Sequence, residues 1–247
     1  VSEVAGRERL IARATALGHA RRSTECAALC DALLSDDPCD QRVLRLLAWA
    51  RFESQAFDAA AAAARRGLAL DAEDLESRRM LARALVRLGA IDEAIEHLDH
   101  CASRGRDDGE DAGRLARVLA QSEAHTERGR ELVRGQQVEP AWSARGAHQW
   151  LRAAVTLGER EASERYAGAL LERAPDDPYF RSSVASCMAR LGRDHEARAH
   201  AIAAIERAPN NVLAWTVRAM ACARLGLEAE RAECEQALRA ARGAKAR

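Results

Sequence analysis

ALVRLGAIDEAIEHLDH, residues 84–100, reads as the end of one helix, a turn, and the start of a second helix. Leu81, Leu85 and Leu88 recur at helical spacing before Gly89, and Ala94, Leu98 and Cys101 resume that spacing after it. Glycine at the junction supplies the left-handed conformation that closes a helix without steric penalty. The same pattern returns in ARLGRDHEARAHAIAAIERAPNN, residues 189–211, with Gly192 at the turn.

Working outward, the hairpin recurs on a fixed step. Pro38, Pro140, Pro175 and Pro209 are separated by 102, 35 and 34 residues, and 102 is three times 34. A period near 34 signals stacked helical hairpins that bury their core against their neighbours. With each of these prolines at the thirty-second place, the repeats begin at Arg7, Gln41, Leu75, Gly109, Ala144, Pro178 and Val212. The eighth place is then Ala14, Ala48, Ala82, Ala116, Leu151, Ala185 and Ala219, small in six of seven, as close helix contact demands. The fifteenth is glycine in four repeats, at Gly89, Gly158, Gly192 and Gly226. Small residues hold the twentieth place in five repeats, and Arg128 and Arg231 break it. The prolines follow each second helix, where a missing backbone donor costs least.

Composition agrees with an all-α chain. Hydrophobic residues make up 48% of the 247 and aromatics only 4%, with much of the apolar share alanine, the best helix former. Basic and acidic residues balance at 38 each, leaving no global field for nucleic acid or an anionic membrane. Seven scattered cysteines do not form a secreted disulfide framework, and no apolar run approaches a bilayer span of ~20 residues. A soluble, cytoplasmic chain is the expectation.

These features resemble the tetratricopeptide repeat family over residues 7–242, with Trp215 and Ala219 where that family places an aromatic and a small residue. The resemblance implies a right-handed superhelical solenoid of about seven helix-turn-helix hairpins. The organisation expected is a first block, 1–108, an irregular joint, 109–143, and a second block, 144–247. In the joint, Arg128 replaces a small residue, the second helix is polar, and the link at 107–113 is acidic. Trp142 belongs to no core place and is expected to plug the seam rather than to protrude as an anchor. The carboxyl-terminal hairpin lacks an evident polar capping helix, so it is expected to continue into a longer chain or to meet another subunit as a homo-oligomer.

Motifs for chemistry are absent: no glycine-rich phosphate loop, no His-Glu-x-x-His pair, no serine elbow and no CxxC pair. The chain is therefore expected not to be an enzyme and to need no cofactor. Acidic pairs such as Asp36 with Asp37, Asp107 with Asp108, and Asp176 with Asp177 fall in turns and are expected to begin helices. His97, His100 and Cys101 have a spacing that could share zinc, but Cys101 holds a core place and a fourth ligand is missing, so no metal site is assigned. Cys26 and Cys30 read as buried small hydrophobes.

The resemblance implies that first helices line a concave groove through the second, fifth, sixth, ninth, twelfth and thirteenth places. In the second repeat these are Arg42, Arg45, Trp49 and Phe52, and in the third Arg79, Arg83 and Arg87. Stacking the last three costs only a few tenths of a kcal/mol per pair, roughly, which bidentate contacts to an acidic or carboxylate-ended peptide would offset. In the sixth repeat the groove turns polar with Tyr179, Ser182, Ser183 and Ser186. The function expected is a non-enzymatic protein-interaction adaptor or scaffold with a protein or peptide partner of acidic character. The alternatives are a sensor for a peptide or small molecule and a docking subunit of a separate enzyme.

Overall fold

The computed structural model describes residues 2–104 and 108–245, and every regular element among them is helical. Asp107 of the expected acidic link lies outside the described residues, as do Ala246 and Arg247 of the terminal segment. Contacts divide the chain into two compact units, Val1–Gly105 and Arg106–Arg247. The first holds three hairpins: α1 (Ser2–His19) with α2 (Ser23–Asp36), α3 (Gln41–Glu53) with α4 (Phe57–Leu70), and α5 (Leu75–Leu88) with α6 (Ile91–Arg104). The second holds four: α7 (Glu110–Gln121) with α8 (Thr126–Gly135), α9 (Ala144–Leu157) with α10 (Arg160–Arg173), α11 (Pro178–Arg190) with α12 (Asp194–Arg207), and α13 (Val212–Leu225) with α14 (Glu228–Lys245).

Five of the seven first helices begin on the residue that the proline step marks, and α7 begins one residue later, after Gly109 as its cap. The eighth-place residues are buried in every hairpin except the last, where Ala219 is half-buried. The fifteenth place is left-handed at Gly89, Gly158, Gly192 and Gly226 and equally at Arg21 (φ 57°) and Gln55 (φ 64°). A tight hairpin imposes that conformation even where a side chain makes it costly. First helices then start at caps in which a side chain accepts backbone N–H groups: Asp40, Asp74, Ser143, Asp177 and Asn211. Asp36 and Asp37 do not begin a helix: Asp36 ends α2, Asp37 accepts the Cys39 amide at 3.2 Å, and the cap of α3 is Asp40.

Within each unit, successive first helices also touch one another, as α3 does with α1 and α5, and α11 with α9 and α13. No comparable packing joins α2 to α4 or α10 to α12 among the described residues. First helices therefore line the inner face of each unit and second helices the outer.

The irregular joint packs into the second unit. Its second helix, α8, is only 10 residues long, and Arg128 is exposed while Gly129 takes the buried place beside Leu119 and Ala120. With so little from α8, α7 packs directly on α9. Gly113 meets Gln149 and Trp150 there, and a Cβ on Gly146 would stand 2.2 Å from the Asp108 carbonyl. Trp142 is buried, with its ring stacked on Trp150 (centroids 5.5 Å apart, planes within 6°) and Tyr166 tilted against both. It fills the joint and is not available as an anchor. From α10, the Tyr166 hydroxyl donates to the Val133 carbonyl at 2.8 Å, and Arg173 donates to the Trp142 and Glu139 carbonyls, each at 2.9 Å.

At the other end, α14 buries Cys234 and exposes Arg231, Glu233, Gln236 and Arg239. α14 packs on α13 with this polar face turned outward, while Met220 and Leu227 of the same hairpin stay exposed.

Candidate functional site

The inner face of the first unit places the expected arginines where neighbouring acids consume them. Arg42 meets Glu8 at 2.8 Å and Asp40 at 3.4 Å, and these acids raise its pKa. Arg45 donates through Nε to the buried Asp74 carboxylate at 2.8 Å. Asp74 also accepts from Gln41 (2.9 Å) and Ser77 (2.5 Å), and its pKa is lowered because these donors outweigh its burial. Arg7 and Asp40 make the equivalent link one hairpin earlier, at 2.5 Å. These are structural ties from each first helix to the cap of the next.

Arg79 pairs with Glu76 at 2.5 Å. Arg83 lies 4.3 Å over the Phe52 ring, 3.8 Å from Glu53 and 3.4 Å from the Met80 sulfur. Arg87 lies 4.4 Å over Phe57, which meets Phe52 edge to face at 5.4 Å. Trp49 is half-buried against Gly18 of α1, where an added Cβ would strike its ring at 2.9 Å. Arg42, Arg45, Trp49, Phe52, Arg79, Arg83 and Arg87 thus share one face, and each is already engaged with a neighbour.

The inner face of the second unit is open. A cavity of about 440 Å³ lies across its first helices, with Tyr179, Ser183 and Ser186 on one wall. Ser182, in contrast, is buried and donates to the Tyr179 carbonyl at 2.8 Å. The opposite wall is α9: His148, Arg152, Val155 and Thr156 stand at the fifth, ninth, twelfth and thirteenth places of their repeat. The sequence reading does not name these residues, although they stand among the same six groove places as Tyr179, Ser183 and Ser186 and only the ninth is common to both sets. Arg190 from α11 and Leu213 from α13 complete the rim.

His148 is buried between the edges of Tyr179 and Phe180, each ring centroid 5.4 Å away. Burial, aided by the nearby Arg152 and Arg117 charges, pulls its pKa down to about 4, so the imidazole is neutral at physiological pH. Neither ring nitrogen has a hydrogen-bond partner among the described residues. Arg152 and Arg190 are exposed, and no ion pair or hydrogen bond engages either guanidinium among the described residues.

Elsewhere the chemistry is muted. No cluster of three or more potential metal ligands occurs among the described residues. His97 faces the Arg78 guanidinium at 3.3 Å, which repels a cation, and Cys101 is buried in the core. Cys26 and Cys30 are fully buried, and burial pushes the Cys30 thiol up to about 12, which makes it unreactive. No described helix is long and apolar enough to cross a membrane.

Comparison with known proteins agrees with this architecture. Residues 51–122 match the tetratricopeptide repeat family. A tetratricopeptide repeat protein from Parabacteroides merdae is 14% identical and superposes with a TM-score of 0.67, covering 96% of this chain and 92% of its own. PilW, described as a widely conserved type IV pilus biogenesis factor, is 14% identical with a TM-score of 0.62, over 95% and 92% of the two chains. PilF of Pseudomonas aeruginosa is 12% identical with a TM-score of 0.58, over 95% and 90%. At such identities the likeness speaks to the fold. No curated protein matches the sequence. Residues 51–122 carry the tetratricopeptide repeat match, and the seven hairpins among the described residues share that repeat's fold.

Proposed function

We propose that this protein is a non-enzymatic adaptor or scaffold that holds a protein or peptide partner against the inner faces of its first helices. The observation that carries this reading is one open cavity lined by groove places of successive first helices, His148 and Arg152 on α9 and Tyr179, Ser183 and Ser186 on α11, with Arg152 and Ser186 both at the ninth place. An extended segment lying across the helices would meet the same kind of place at each step. On the first unit the corresponding contact set is Arg42, Arg45, Trp49, Phe52, Arg79, Arg83 and Arg87, which a partner would reach through the exposed parts of side chains already held in place.

A photo-crosslinking residue at position 183, compared with one at the outward-facing Glu172, tests the face. Partner adducts in the native host should form at 183 and not at 172. Adducts at 172 alone would overturn the assignment. A second reading, a sensor for a small molecule, is favoured by the cavity volume of about 440 Å³, which is in the range of small-ligand pockets. A rise in Tm with a metabolite, abolished by Ser183→Trp, would select it over the adaptor.

A further inference from the structure

Three properties of the second unit's inner face point to one kind of ligand. The first is unspent positive charge. Arg152 and Arg190 line the cavity from adjacent helices, and its lining includes no aspartate or glutamate. Elsewhere in this chain arginines are commonly matched: Arg193 bridges Glu164 and Glu196, and Arg198 and Arg218 converge on Glu230. Arg152 and Arg190 have no such partner among the described residues, and they share one cavity.

The second property is unspent hydrogen-bonding capacity. His148 is 6% exposed and lines the cavity, and no hydrogen bond engages its ring nitrogens among the described residues, so they are open to a group that enters the cavity. The Thr156 hydroxyl donates to the Arg152 carbonyl at 2.9 Å and the Ser183 hydroxyl to the Tyr179 carbonyl at 3.1 Å. With their protons committed, both oxygens are left as acceptors, the complement of backbone N–H groups. The third property is apolar surface: Tyr179 is 55% exposed and Leu213 41% exposed on the same rim.

We propose that this face selects a linear peptide segment in which an aspartate or glutamate adjoins an aliphatic or aromatic residue. The carboxylate sits between Arg152 and Arg190, the apolar side chain packs on Tyr179 and Leu213, and peptide N–H groups donate to Thr156 and Ser183. The inference rests on the adaptor reading and names the partner chemistry of that same site.

A displayed library of random linear peptides, panned against the intact chain, tests it. Enriched sequences should carry an acidic residue next to an apolar one. Affinity of a synthetic enriched peptide, measured by fluorescence anisotropy, should fall at least about tenfold with the double variant Arg152→Gln, Arg190→Gln and by a similar factor when the peptide's own Glu is changed to Gln. Binding should also weaken as salt is raised. Both arginines are exposed, so an unchanged thermal unfolding curve shows that the variant is folded. Enriched peptides that lack acidic residues but still lose binding with Tyr179→Ala would overturn the acidic preference and leave the adaptor reading standing. Acidic peptides that bind the double variant as tightly as the wild type would overturn the assignment of the two arginines. Failure to enrich any linear peptide, or enrichment only of peptides insensitive to every inner-face substitution, would overturn both.

Discussion

The two units present inner faces built on the same places and used in opposite ways. In the first, positive charge is structural: Arg7 and Arg45 tie each first helix to the buried carboxylate that caps the next. In the second, the equivalent link is neutral, with the Asn211 amide donating to the Pro178 carbonyl at 3.1 Å, while Asp177 only caps its own helix. Arg152 and Arg190 of the second unit are left over, and they line a cavity. An arginine at a groove place is thus available to a partner only when no neighbouring group holds it.

The largest effect that would break this contrast is at the caps. Asp74→Ala removes the cap of α5 and strands Arg45, Gln41 and the buried Ser77 hydroxyl, and should cost about 3 to 4 kcal/mol in urea unfolding. Asp177→Ala removes only a cap and should cost about 1 kcal/mol. Equal losses would show that the carboxylate ties of the first unit contribute little.

Protonation separates the units next. The unfolded chain protonates His148 near 6.5 and the folded chain near 4, so the stability conferred by its neutral burial is complete above the unfolded value and lost as pH falls toward 4. The ceiling on that loss is about 3 kcal/mol. Asp40 and Asp74 shift below 3.8, so their contribution persists down to that pH and is lost only below it. His97 in the first unit and His200 in the second are lowered in the same direction as His148, each chiefly by burial, so a variant is needed to isolate one group. Urea midpoints measured between pH 7 and 4.5 should fall less steeply for His148→Gln than for wild type, and parallel slopes would contradict the burial of a neutral ring.

The smallest effects concern the turns. Gln55→Gly and Arg21→Gly relieve left-handed strain and should each stabilise by about 0.5 to 1 kcal/mol, while Gly158→Ala should destabilise by about 1 kcal/mol, all read from thermal unfolding.

Much of this architecture is legible from the residues, because the helical period and the proline step both follow from local backbone chemistry. The starts of α3, α5, α9, α11 and α13 follow from that step alone. The turn geometry at Arg21 and Gln55 is not legible, since the hairpin overrides residue preference. Nor are the ion pairs: the partners of Arg42 and Arg45 lie 34 and 29 residues away on adjacent hairpins, so residue type at a groove place says nothing of whether the charge is spent. The slip from Arg128 to Gly129 was hidden for a different reason, because an irregular repeat moves the register where the period is the only guide. His148 and Arg152 stand at the fifth and ninth places of the fifth repeat, so the same register marks them as groove residues.

The stacked indoles of Trp142 and Trp150 give the joint an optical signature of its own. Two stacked chromophores whose centroids are 5.5 Å apart couple their electronic transitions, and a twist between the indole axes within those stacked planes splits the circular dichroism into a positive and negative couplet that reports how the linker sits on α9. Any event that slides the linker on α9 should collapse that couplet before helix content changes, so the most irregular repeat of the array is also the easiest to watch in solution.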